Sequence, residues 1–394
     1  MEKQKIPMTD VTPVSPLDEI EVNRVRTETT LQSENATNPR STFHVYAKHE
    51  CHKCISPVID PGKERWCGPN QKEQKARRLK KQERKKSGLP PVEPDDNAFF
   101  MHQPYLSFHV PPRVLYTGNS KYTAKPAVLI HDGCFWRDYK LQLGPAISQP
   151  GVIDPRGVVS WRHNGGDKKA LKADEHKLKG YKVRGWRLWG ETGKKYVQTV
   201  RANRKAGKGT DPDVLEVKGV EFEKPAVAEE VVHLRWMSPL SRHTRYYHFH
   251  YMDIDFYWKG TASVSESRAC GLFLRFNHLK LVARLPIVDD KKHEQGEPCL
   301  GKYTCSIAAK KNGTLEFFDD AILRLVDAYA PSMLGLSSGE GQLEENMKNE
   351  RVLRLRKSTL YQVFMATATC MIRSEKEKRH TLLELLTVAA EGGG

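Results

Sequence analysis

The chain has 394 residues, is 28% charged and 38% hydrophobic, and carries a formal net charge of +16. That length suits one large or two ordinary domains. No apolar run reaches membrane-spanning length, and the eight cysteines are mostly far apart, which speaks against a helical membrane protein and a disulfide scaffold. The first twenty residues lack an apolar core with a cleavage site, so no secretory signal is predicted. A soluble intracellular protein, cytoplasmic or nuclear, is expected.

Residues 1–97 read as a disordered tail: few aromatics, many Glu, Thr, Asn and Ser, then a proline-rich linker, with ordered sequence beginning near Phe99. Within the tail, Cys51-x2-Cys54 has a spacing that chelates zinc, and Cys67 offers a third ligand. His44, His49 or His52 would supply the fourth. A second Cys-x2-Cys is missing, so this is half a zinc signature, and the alternative is reduced thiols in a tail.

From Lys72 to Lys86 there are nine Lys/Arg and two Glu. The run lacks Gly, Pro and β-branched residues and is predicted helical. Its cations, Lys72, Lys75, Arg77, Arg78, Lys80, Lys81, Arg84, Lys85 and Lys86, surround the helix and leave only Ala76 and Leu79 for an apolar face. That pattern fits a nuclear-import signal or polyanion-binding arm better than an inserting amphipathic helix.

Beyond Phe99 the texture is that of strands, at 127–131, 138–143, 157–163 and 231–236, with a hairpin over 186–200. The longest candidate is a single strand, 245–259. Further strands are expected at 272–276, 279–285, 303–309, 315–318 and 322–326, with Asn312-Gly313 as a tight turn. Along the long strand His248 and His250 share one face, while Asp253 and Asp255 point to the other and so do not complete a metal site with them. His131-Asp132-Gly133 reads as a strand-ending turn rather than as half of a Cys134–His131 catalytic pair.

A second basic stretch, Arg162 to Lys208, holds fifteen Lys/Arg against four acids. The two basic blocks together carry more than the whole net charge, so the remainder is nearly neutral. In the second block Trp186 and Trp189 lie among cations, a combination that holds phosphates while an aromatic ring stacks or sits at an interface. Lys194, Lys195, Arg201, Arg204 and Lys205 are the candidate phosphate contacts. Gly190 to Lys195 is not a phosphate-binding loop, since its first glycine and its hydroxyl residue are missing.

Near the C-terminus, Leu360 to Ile372 is apolar on every side. A helix of this kind must be enclosed, and thirteen residues fall short of the about 20 that a bilayer needs. The expected fold is therefore mainly β (α+β): a large antiparallel sheet or closed barrel around a hydrophobic C-terminal helix, in a domain over 98–390 with a basic insertion at about 164–224.

Phe256-Tyr257-Trp258-Lys259-Gly260, Leu279-Lys280-Leu281-Val282-Ala283, Ser306-Ile307-Ala308 before Asn312-Gly313-Thr314-Leu315, and the acidic strand-like stretch 318–327 carry a resemblance. The pattern over about 110–380 resembles the tubby-like superfamily, which includes the LURP-one-related and phospholipid-scramblase-like proteins. The organisation is also similar to that of fungal proteins. The resemblance implies a closed barrel of about twelve strands around a helix, and it tilts the reading toward phosphoinositide or other anionic lipid headgroups. The function expected is that of a non-enzymatic binding or adaptor protein without an obligatory cofactor. The alternative is a nuclear, nucleic-acid-associated protein with a basic arm and a zinc site.

Overall fold

A computed structural model describes residues 40–48, 52–90, 92–104, 110–133, 137–182, 202, 225–238, 246–260, 278–285, 297–306, 308–331 and 344–392. Twelve antiparallel strands form a closed barrel: β1 (Arg40–Lys48), β2 (His52–Ser56), β3 (Phe99–His102), β4 (Arg113–Thr117), β5 (Lys125–Asp132), β6 (Asp138–Leu143), β7 (Glu230–Met237), β8 (Tyr246–Tyr251), β9 (Ile254–Gly260), β10 (His278–Arg284), β11 (Cys299–Cys305) and β12 (Lys311–Phe318). Each strand pairs with its neighbours in sequence, and β1 closes the ring by pairing with both β2 and β12. Six helices accompany them among the described residues: α1 (Pro61–Glu64), α2 (Gln71–Lys86), α3 (Lys168–Ala173), α4 (Asp319–Tyr329), α5 (Glu344–Lys357) and α6 (Thr359–Gly392).

Alternation explains the closure. Phe249 and Tyr251 on β8 and Phe256 and Trp258 on β9 point inward, while His248, Asp255 and Tyr257 between them are more exposed. The lumen they line is occupied by the first part of α6. Leu360, Tyr361, Val363, Phe364 and Met365 are each at most 2% exposed. Phe364 meets the rings of Phe249, Phe256 and Phe317, from three different strands. The Trp258 indole donates to Thr367 Oγ1 at 3.2 Å. The apolar run is enclosed by the barrel, as its all-round hydrophobicity requires.

A second, smaller core lies outside the wall. Phe100, Val114, Tyr116 and Leu129 face outward from β3–β5 and are covered by Ile147, Val152, Val159 and Leu178. This explains why β3 is buried along its whole length. The beginning of the basic insertion is thus folded onto the barrel.

Several expectations need correction. The ordered domain does not begin near Phe99: β1 and β2 come from the segment read as tail, and residues 1–39 lie outside the described residues. The long strand over 245–259 is a two-strand hairpin, turned by Met252 (φ 53°) and Asp253 (φ 59°). Residues 157–163 are not a barrel strand but a bend, two isolated bridges at Val159 and Ser160, and a short 3-10 segment against the outer core. The stretch 322–326 belongs to α4: Ile322, Leu323, Leu325 and Val326 have helical spacing and are buried on one face. Asn312-Gly313 does not turn the chain. It lies inside β12, opposite a register shift in β1, and a Cβ on Gly313 would come within 2.4 Å of Thr304 O. The hairpin over 186–200 and the strand at 272–276 lie outside the described residues.

Candidate functional site

The most basic described element is α2. Asn70 caps it by accepting from the Glu73 amide at 2.9 Å, and the Glu73 carboxylate accepts from the Asn70 amide at 3.1 Å, a reciprocal capping box. At the other end Gly88 adopts φ 69°, its amide bonds Lys85 O and the Leu89 amide bonds Arg84 O. That is the glycine-terminated close expected after such a helix. None of its sixteen residues is buried, so its two caps matter more than packing.

Two contacts dock α2 on the barrel side. Arg77 makes a two-pronged bond to Asp60 at 3.0 and 2.6 Å, and Arg65 bonds Glu73. Burial works to raise Asp60, but Arg77 and Lys63 outweigh it and hold its carboxyl below the ordinary value. The Asp60 amide donates to Tyr46 Oη, which donates to Glu64. Glu64 in turn accepts from Lys311 of β12 at 2.7 Å. Residues 73, 77 and 84 lie on one side of the helix, where Arg84 Nε donates to Pro90 O. Lys72, Lys75 and Lys86 fall toward the opposite side, Arg78, Lys81 and Lys85 are exposed between, and Lys80 is exposed beside the clamped turn.

The other sequence candidates are placed unevenly. Trp186, Trp189, Lys194, Lys195, Arg201, Arg204 and Lys205 lie outside the described residues, as does Cys51. Cys54 sits within β2 and Cys67 is exposed beyond α1. Among the described residues no group of three His, Cys, Asp or Glu is arranged to hold a metal ion.

The hairpin changes the reading of the histidine strand. His250 pairs with Asp255 across the turn, so the carboxylate shares the outer face with both imidazoles. Asp255 Oδ1 lies 2.8 Å from His248 Nε2 and 3.2 Å from His250 Nδ1. The hydrogen bond from His248, reinforced by that from His250, holds the Asp255 carboxyl below its ordinary value.

Sequence reasoning missed the ionic groups inside the two ends of the barrel. Where α6 leaves the barrel, Asp132 bridges Arg113 (2.5 Å) and Arg373 (2.8 Å). Tyr139 bonds Ser374, and the Tyr247 hydroxyl donates to the fully buried Glu375. Lys53 joins them 3.5 Å from Thr369 O. Burial and the neighbouring Arg113 and Arg373 guanidiniums pull it down to about 7. His131-Asp132 does end a strand, but Asp132 also serves as this internal counter-ion. Where α6 enters, Arg356 and Ser41 close on the buried Asp319, whose pKa is raised by burial against the opposing pull of Ser41 and Arg356. Only the alternation of β4 and β5 could have revealed Arg113 and Asp132 as inward, and β4 was not recognisable as a strand.

No helix among the described residues is long and apolar enough to cross a membrane. Comparison of the chain with protein-family models, curated proteins and solved structures finds no match.

Proposed function

We propose that this chain is a non-enzymatic binding protein in which a barrel plugged by its own helix acts as a rigid scaffold for basic elements on the outside. Barrels that bind small ligands keep a cavity in the lumen. Here α6 fills that space, which directs recognition to the exterior. The observation that carries the reading is α2: nine Lys/Arg against two Glu on a doubly capped helix with no buried residue. Its ligand is an array of phosphate groups, held by charge rather than by a shaped pocket.

The second basic stretch, with Lys194, Lys195, Arg201, Arg204 and Lys205 beside Trp186 and Trp189, offers the same chemistry on sequence grounds. The tubby-like resemblance favours phosphoinositide or other anionic headgroups as the phosphate source, at a cytoplasmic membrane face. The arm-like α2 would equally serve a nuclear protein holding a nucleic acid.

The test is binding of the full chain to a phosphate polymer across a salt series, beside a variant with Lys72, Lys75, Arg78, Lys80 and Lys81 changed to Gln. The expected result is binding that weakens with salt, and a slope in log K against log salt that flattens by about one for each phosphate contact removed. Equal affinity and equal slope for both proteins would overturn the reading.

A further inference from the structure

Exposed apolar side chains are unevenly distributed. Among the described residues six large ones, Val58, Ile59, Trp66, Leu79, Leu89 and Val92, come from the segment 58–92 that holds α2, and five from the rest of the chain. Three of these stand out: Val58 is 67% exposed, Ile59 56% and Trp66 61%. Single exposed hydrophobics are ordinary on any surface, but these three come from one short connection between β2 and α2.

That connection is fixed. Ile59 precedes Asp60, which Arg77 clamps with two bonds, and Trp66 follows Arg65, which bonds Glu73. The Val58 amide donates to Ser56 Oγ at 3.1 Å, and Trp66 O accepts from the Ala309 amide at 3.0 Å. Glu73 and Arg77 are one helical turn apart, so both clamps tie the apolar residues to the same turn of α2. On the outer side of the helix Leu79, 49% exposed, falls among Lys72, Lys75 and Lys86.

From this arrangement we infer that Val58, Ile59 and Trp66 form an insertion wedge which, together with the cations of α2, docks the protein on an anionic lipid bilayer. The inference rests on the phosphate-binding reading and names the phosphate source. Two different attractions are needed for stable attachment to a membrane surface, charge on the headgroups and apolar burial below them. A tryptophan suits the headgroup layer and aliphatic side chains the acyl boundary beneath it. A nucleic acid would use the tryptophan ring for stacking but gives Val58 and Ile59 little to bury against.

The test uses the full chain with phosphatidylcholine vesicles, with vesicles containing phosphatidylserine, and with a single-stranded oligonucleotide, at near-physiological salt. Two variants accompany it: Val58→Ser/Ile59→Ser/Trp66→Ser, and the five-fold Gln variant of α2. Binding to the phosphatidylserine vesicles alone is expected for the native chain. The serine variant should lose about tenfold or more of it, keeping its thermal midpoint and its affinity for a phosphate polymer.

Vesicle binding by the serine variant equal to that of the native chain overturns the wedge and leaves the phosphate reading standing. Binding of the oligonucleotide without binding of vesicles overturns the membrane assignment in favour of nucleic acid. Self-association that the serine variant abolishes, without vesicle binding, assigns the patch to a second copy and also overturns it. If the Gln variant binds every probe as the native chain does, the phosphate reading itself falls.

Discussion

Phe364 is the residue through which barrel and plug depend on each other, since its ring packs against Phe249, Phe256 and Phe317 at zero exposure. Phe364→Ala is expected to cost about 3–5 kcal/mol, measured by denaturant unfolding. At the exit of the barrel, Asp132→Ala leaves Arg113, itself 3% exposed, and Arg373 without their shared carboxylate. A loss of about 3–5 kcal/mol is expected, against a smaller loss in Asp132→Leu/Arg113→Met, which removes the buried pair together and leaves only the part-exposed Arg373 without its carboxylate.

Acid should act through buried imidazoles. Burial lowers His131 to about 4 and His102 to about 3, from 6.5. The unfolded chain therefore takes up protons that the native state refuses as pH falls below about 6.5, and stability is lost across the window from there toward 4. A Tm that drops between pH 7 and pH 4, with a shallower drop in His131→Gln, is the expected profile. A sequence shows that a histidine lies in a strand but not whether the wall has a second layer over it, which is why these rings were not legible as buried.

Among the elements, the β8–β9 turn shows how a local rule misleads. Two-residue hairpin turns of this hand favour Asn-Gly because both central residues need positive φ. Here Met252 and Asp253 occupy those positions, so nothing in the sequence interrupts what reads as one long strand, and Asp255 is assigned to the wrong face. Met252→Asn/Asp253→Gly should relieve the strain and stabilise the protein by up to about 1 kcal/mol, read as a raised denaturation midpoint. By contrast α2 was legible from composition alone, as a run without Gly, Pro or β-branched residues, while its Asn70 cap and its Gly88 close came with the structure. Asn70→Ala should loosen its first turn by about 1 kcal/mol. Amide exchange within α2 should then speed up while the global Tm stays unchanged, since the helix buries nothing.

For the molecule as a whole, the enclosed helix was the feature that sequence conveyed best. Thirteen residues apolar on all sides admit few environments, and a strand-rich chain before them supplies one. The start of the barrel was not legible. β1 shows its inward Phe43 and Val45 only against Arg40, Ser41, His44 and Lys48, a mixture that by composition resembles the segment before it. Yet β1 is the strand that joins β2 to β12, so a protein beginning at residue 98 would lack two strands and leave the plug uncovered on one side.

The barrel is shut by β1 and β2 around α6, with the basic helix α2 on its outside. Hydrogen exchange on the 394-residue chain is the sharpest test of that closure. Amides of β1, of β2, of β12 and of 360–372 should exchange together among the slowest in the protein, while those of α2 exchange far faster. Exchange over β1 and β2 at the rate of an unfolded chain, with β3–β12 still protected, would contradict closure and return the start of the domain to Phe99.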